Sequence, residues 1–353
     1  MDIKSFKQKF DPVLKNTLDA RVEEYKKMTR DKFLRDMVAY PRELLLAGGK
    51  RIRPYMAYLM YKSEGGKKEE ELLEFLVGIE IFHMFCLVHD DIIDRAHERH
   101  GLLPMHKYIV SYLKDEKRQG DHGHVGGGLA MLTGDLLYNW ANSIIECNRF
   151  FGEKELSRVR VLYTQMVAQV ILGEMLDVDM TTRRQVEVKY INEKMLLKTA
   201  KYSFVSPMQI GVALAGGSES HQKFCEDFGG ALGVAFQIQD DLFDIMQDPD
   251  VLGKSVFSDI KENVHTLFTW YIFENGTATQ KRTLDSLMGS AVPVKDYDRV
   301  RKLFKDSGAI EYGTKEMNKL FKKAHKMLGE SHVKGTERKD LSNLLDYIES
   351  RSF

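Results

Sequence analysis

Six aspartates in two sets of identical spacing are the residues best placed to do chemistry. Asp90, Asp91 and Asp94 stand in "LVHDDIID", and Asp240, Asp241 and Asp244 in "FQIQDDLFD". At this chain's aspartate content one DDxxD has chance odds of about one in seven, and two about one in a hundred. Residues four apart on a helix share a face, about 6 Å apart along the axis, so each set aims its first and last carboxylates one way. Clustered carboxylates without thiolate or imidazole partners select hard divalent cations, and Mg²⁺ takes its remaining ligands from water and phosphate oxygens. The ordinary reading of an acidic run is a solvated face. Here both sets close apolar stretches, and the first falls where a helix ends in partial negative charge, which disfavours unpaired carboxylates. A bound cation is therefore expected, with a diphosphate clamped between two acidic jaws.

A diphosphate also needs basic side chains. "AGGKRIRP" offers Lys50, Arg51 and Arg53, "ERHG" offers Arg99, "LLKTAKY" offers Lys198 and Lys201, and "LGKS" offers Lys254. No nucleotide-binding loop is present, because Asp248 stands where the leading glycine before Lys254 belongs. The 52 basic and 52 acidic side chains give no general pull toward nucleic acid, so anion handling is local.

These residues need long helices to position them. Only Pro104 falls between Pro54 and Pro207, and apolar residues recur at helical spacing in "VLYTQMVAQVILGEMLDVDM" and "FCEDFGGALGVAFQIQDDLFDI". The run from Leu72 to Val88 is apolar on nearly every side and reads as a buried central helix; Glu74, Glu80 and His83 argue against a membrane span. Connections are expected at "KSEGGKKEE", "KDEKRQGDHGHVGGG", "AGGSES" and "DPDVLGKS". The second of these, including 115–128, looks long enough for a lid. Cys86, Cys147 and Cys225 show neither CxxC spacing nor a disulfide framework, which suits a reducing cytosol. The reading is an all-α protein forming one domain over 1–353, cytoplasmic, with no membrane span.

The ordered set "GGKRIRP", "HDDIID", "RHG", "GDLL", "KTA", "FQIQDDLFD", "GKSVFSDI" and "SGAIEY" resembles the trans-isoprenyl diphosphate synthases from about residue 40 to 330. The resemblance implies an isoprenoid synthase helical bundle around a deep central cavity, usually homodimeric. It implies head-to-tail condensation of isopentenyl diphosphate with allylic diphosphates, using Mg²⁺, three ions per active site. Asp90, Asp94 and Asp240 match metal-coordinating positions, with Asp91, Asp241 and Asp244 completing the two acidic sets. Lys50, Arg53 and His83 match the isopentenyl diphosphate site. Arg99, Lys198, Thr199, Gln237 and Lys254 match the allylic site, Lys198 and Lys254 joining the aspartates in catalysis. Alone, His83 reads as an ordinary core histidine and Lys198 as a surface lysine; the ordered set reverses that reading.

The chain also departs from the family pattern. His100 stands where a second arginine is common, and Val264 where a lysine is common; protonated His100, or His265, would have to replace the lost charge. His89 and His97 flank the first motif and are expected in supporting or solvent roles. Beneath Asp90, Cys86 lies one turn down and Phe82 two, at about 6 and 12 Å. With Phe85, whose role comes from the resemblance, they are the expected chain-length residues, giving mainly a twenty-carbon product, geranylgeranyl diphosphate, with some farnesyl diphosphate. A non-catalytic regulatory subunit and a terpene cyclase are the alternatives; two intact DDxxD motifs and "GGKRIRP" weigh against both.

Overall fold

The computed structural model describes residues 1–247 and 256–351, and all the regular structure there is helical, with one isolated bridge between Arg99 and Leu102. The all-α expectation is met. Two compact units emerge, Met1–Arg160 and Val161–Phe353.

The first unit begins with α1 (Ile3–Lys26), whose Phe6, Phe10, Leu14, Leu18 and Val22 recur every four residues and are all buried. Asp2 caps it by accepting from the Ser5 amide at 2.7 Å, and Asp31 caps α2 (Lys32–Ala47) through the Leu34 amide at 2.9 Å. Next come α3 (Ile52–Ser63), α4 (Glu69–Ile93), α5 (Met105–Asp115) and α6 (His122–Glu146). Helix α4 is buried almost all round, as its apolar run demands. By length and composition α4 could cross a membrane, but 72% of its apolar window is buried inside the protein, the mark of a core helix. Glycines let α6 approach it closely: a Cβ on Gly134 would lie 2.3 Å from the His89 ring. The connection between α5 and α6 is shorter than the sequence suggested. His122 and His124 already lie in α6, whose first amides Asp121 caps, so residues 116–121 alone form the loop.

Helix α7 (Glu153–Met180) gives its first two turns to the first unit and the remainder to the second. It too is long and apolar enough to cross a membrane, with 28% of its apolar window buried. Its Glu174 and Asp177, however, pair with Lys198 inside the second unit. Helix α8 (Val188–Lys194) runs into a π-helical segment, Met195–Val205, and then into α9 (Ser206–Leu214). Helices α10 (Glu219–Met246), α11 (Ser258–Lys261), α12 (Leu267–Asn275), α13 (Ala278–Leu287), α14 (Tyr297–Asp306), α15 (Ala309–Glu330) and α16 (Gly335–Glu349) follow. The connection expected at 248–255 lies outside the described residues.

The π-helical segment was not legible in the periodicity, and it carries Lys198, Thr199 and Lys201. Such widened turns recur at functional sites because they swing side chains out of α-helical register. Two glycines hold it. A Cβ on Gly173 of α7 would lie 2.4 Å from the Lys198 amide nitrogen, and one on Gly233 of α10 2.4 Å from Ala200 Cα. Both collisions are with backbone, which cannot step aside. Gly173→Ala and Gly233→Ala should each destabilise by about 1–3 kcal/mol through overpacking, outweighing a helix-propensity gain of about 1 kcal/mol. Denaturant unfolding checks this: unchanged or raised stability in both variants would show that the segment is not held as described.

Candidate active site

In the first unit, α4 delivers the first acidic set at its end. Asp90 sits in the last turn, and Asp94 is the C-cap, its amide bonded to the Asp90 carbonyl at 2.8 Å. Asp91 turns inward and is 2% exposed. Burial pushes its carboxyl up, opposed by Arg99, whose Nε lies 3.1 and 3.3 Å from the two carboxylate oxygens and whose Nη2 adds a third bond. The same Nη2 stands 3.8 Å from Asp90 Oδ2. This is the positive charge that the helix end required. The following turn is tight: Arg99 and Leu102 exchange backbone bonds at 2.8 and 3.0 Å, with His100 and Gly101 at φ +54 and +79.

The surroundings of His100 weigh against the charge expected of it. Desolvation chiefly lowers its pKa, a hydrogen bond to the Leu44 backbone opposes this, and Arg99 and Arg51 lower it further. The ring lies over Gly48, whose Cβ would meet it at 2.9 Å. His83 on α4 is pushed well below its ordinary value by desolvation first, then by Arg53 and Arg99. His83, Arg53 and Arg99 thus share one electrostatic neighbourhood, as the sequence reading expected, and Lys50 is exposed nearby in sequence. Arg51, also counted among the candidate cations, is buried and bonded to Asp11 and Glu80. His89 bonds the Met131 carbonyl at 3.1 Å, and His97 is exposed, which fits supporting and solvent roles.

Below the first motif, Phe82 and Phe85 are buried and Cys86 is partly exposed. The two phenylalanine rings lie 5.4 Å apart, and Tyr138 from α6 reaches both, at 6.3 and 5.3 Å between centroids. Nothing in α4's own sequence could reveal Tyr138.

In the second unit, Thr199 donates to Gln237, which donates to Asp241 Oδ1 at 2.7 Å. Three expected site residues therefore form one chain. Lys198 bonds Glu174 and Asp177 at 2.8 Å each. Sequence reasoning missed their companion Lys194, a buried lysine that forms an ion pair with Asp177 at 3.0 Å and donates to the His265 carbonyl at 2.9 Å. The only signals were Lys194 one turn before Lys198 and the i, i+3 acids of "GEMLD". At His265 burial lowers the pKa, against charge, and the Arg183 carbonyl 3.0 Å from its Nε2 offsets only part of that. Val264 carries only a backbone bond, to the Asp259 carbonyl at 2.7 Å. Lys201 pairs with Glu226. Lys254 lies outside the described residues.

The carboxylates suit a hard cation. Asp241 Oδ2 is buried and meets no hydrogen-bond donor among the described residues. Burial raises Asp241 to about 6 even though Lys194 and Gln237 pull it down, the position of an anion short of positive charge. Asp240 pairs with Arg351 at 2.7 Å, a contact that the sequence did not announce. Asp244 instead serves α11, accepting from the Ser258 amide at 3.0 Å and the Asp259 amide at 3.1 Å. Asp91 and Asp244 thus spend their oxygens on protein donors, which fits support better than ligation, while Asp90, Asp94, Asp240 and Asp241 could hold metal.

The profile of the polyprenyl synthetase family matches residues 31–306. The chain belongs to that family. Geranylfarnesyl diphosphate synthase of Aeropyrum pernix is 30% identical over 312 residues, covering 87% of this chain and 92% of that protein. Geranylgeranyl diphosphate synthase of Sulfolobus acidocaldarius is 30% identical over 254 residues, 72% of each. The crystal structure of geranylgeranyl pyrophosphate synthase from Corynebacterium glutamicum, complexed with isoprenyl diphosphate and magnesium, matches with a TM-score of 0.91 at 25% identity, covering 98% of this chain and 99% of that one. This polyprenyl synthetase is a short-chain prenyltransferase acting on prenyl diphosphates, in a family that uses divalent metals. Those three relatives are synthases, which favours neither the cyclase nor the regulatory-subunit alternative.

One electrostatic contact of the synthetase can be tested by pH. Burial raises the Asp177 carboxyl, but Lys194 and Lys198 overcome it and hold it at about 2 against an ordinary 3.8. A depressed carboxylate stabilises fully above its unfolded value and loses that contribution as pH falls through its folded one. The shift corresponds to about 2 kcal/mol. Asp177→Asn should cost at least that much at pH 7, and its difference from wild type should narrow as pH falls from 4 toward 2. Unfolding midpoints measured across that range check it; a difference independent of pH would mean the pairing contributes nothing.

Proposed function

We propose that the protein condenses isopentenyl diphosphate with an allylic diphosphate to give mainly geranylgeranyl diphosphate and some farnesyl diphosphate, with Mg²⁺ as the metal, three ions in all. The observation that carries this reading is the wiring of the two acidic sets: Arg99, Arg53 and His83 gather at the first, and Thr199 and Gln237 run to Asp241 of the second. The family match runs through both compact units, which supports one catalytic domain.

The divalent metal, when bound, neutralises diphosphate and makes it a better leaving group. Lys50, Arg53 and Arg99 add positive charge for phosphate oxygens, and His83 stands in the same electrostatic neighbourhood. The allylic carbon–oxygen bond breaks and its electron pair leaves with the diphosphate. The isopentenyl double bond supplies the pair that joins the two chains, and a proton leaves the adjoining carbon for the departing diphosphate. No histidine base is needed, which suits a His89 bonded to a backbone carbonyl. The apolar walls from Phe82, Phe85 and Tyr138 are compatible with a cation that must be kept from water.

A homodimer in the cytoplasm is the proposed state. Exposed apolar residues support it: Met131 and Leu132 on α6, and Ile171, Leu172, Met175 and Val178 on α7.

Incubation with radiolabelled isopentenyl diphosphate and an allylic primer, with products read by mass spectrometry, tests the reaction. Asp90→Asn and Asp240→Asn should each lower turnover a hundredfold or more, about 3 kcal/mol of transition-state stabilisation. Near wild-type turnover in both would sink the metal-clamp reading. Product length is a separate outcome. Cys86→Phe should shorten the product, and Phe82→Ala, Phe85→Ala or Tyr138→Ala should lengthen it; identical product distributions in all four would place the floor of the cavity elsewhere.

A further inference from the structure

We propose that Arg51 is a positioning residue for the isopentenyl diphosphate grip, and that α1, through Asp11 and Lys7, is part of that grip. The proposal rests on the functional reading above and assigns work to residues outside its motifs. Of the three cations in "GGKRIRP", Arg51 is the one turned into the protein, 5% exposed. Its backbone is left-handed at φ +56, a conformation that a long side chain adopts at a cost. The guanidinium repays it in three directions: Nε donates to Asp11 Oδ1 at 2.9 Å, Nη1 to Glu80 Oε1 at 2.7 Å, and Nη2 to the Leu45 carbonyl at 2.8 Å. Only a planar fork meets three such acceptors; a lysine cannot.

The contacts around it fix the same turn. Gly49 has φ +113, and a Cβ there would lie 2.5 Å from Arg51 Nη1, so the guanidinium lies directly over the glycine. Lys7 Nζ holds the Gly49 carbonyl at 2.8 Å. Glu80 is 3% exposed and belongs to α4, the helix that also carries His83 and Asp90. The backbone of residues 49–51 is thereby tied to α1 and α4 together, with Lys50 left exposed and Arg53 set in the first turn of α3. Helix α3 is tied in as well, since Phe6 of α1 packs 5.3 Å from Tyr55 and 5.2 Å from Tyr58. Helix α1 precedes the family match at residue 31, so neither motif nor family marks Asp11 or Lys7. If Arg51 acts through the turn, removing it or removing Asp11 loosens Lys50 and Arg53 alike, and the two losses do not add.

Steady-state kinetics on the full chain tests this, with Arg51→Lys, Asp11→Ala, Asp11→Asn and the Arg51→Lys/Asp11→Ala double variant. Asp11 keeps 38% of its side chain exposed, so its variants remain informative should Arg51→Lys fold poorly. The expected result is a KM for isopentenyl diphosphate raised about tenfold in Arg51→Lys and Asp11→Ala, with kcat and the KM for the allylic diphosphate within about twofold of wild type. Asp11→Asn, which keeps an acceptor, should recover part of the loss, and the double variant should be no worse than the poorer single. Amide hydrogen exchange at residues 49–52 should speed up in the same variants. A parallel rise in both KM values, additive losses, or unchanged exchange overturns the proposal. Wild-type protein that fails to consume isopentenyl diphosphate overturns the functional reading instead, and the exchange comparison then decides whether Arg51 pins the turn.

Discussion

A carboxylate removed from water has to find positive charge or several hydrogen-bond donors, and this constraint orders the whole site. Asp91 finds Arg99, Asp177 finds two lysines, and Asp244 finds the amides that open α11. Each answer fixes a piece of backbone: the turn after α4, the π-helical segment against α7, and the start of α11. Asp241, with one oxygen lacking any donor among the described residues, is where the internal supply of positive charge falls short. Structural neutralisation and functional demand are thus the same electrostatics, separated by whether the protein supplies the cation itself.

Much of this could be read from the chain. The aspartate spacing, the "GGKRIRP" turn and the scarcity of prolines pointed to helices, metal and diphosphate, because i, i+4 spacing and buried apolar runs are local signals. Contacts made across the fold were not legible. Tyr138 meets Phe82 and Phe85 only because α6 lies against α4, and Lys194 meets Asp177 only because α8 lies beside α7. Arg351 reaches Asp240 across 111 positions of sequence.

Charge state was the other blind spot. His100 and His265 were candidates to replace missing cations on composition alone, since an unperturbed imidazole titrates close to neutrality. Desolvation lowers the pKa of both, and the backbone groups they meet offset only part of it, so neither is favoured as a standing cation. The same desolvation at His83 leaves a neutral ring among arginines, which could give or take one hydrogen bond without adding to their repulsion. A histidine's identity says where a proton can go; its surroundings say whether it is there.

The tie between α1 and the diphosphate turn bears on how such synthases can be recombined. Residues 31–306 look like an interchangeable cassette, since they carry every family motif except the last, "SGAIEY". A chimera joining that cassette to another relative's first helix would bring Arg51 and Glu80 but leave behind the carboxylate and lysine that complete the buried cluster. Grafting would succeed or fail on a match between two residues of α1 and one arginine, a compatibility that motif comparison never inspects.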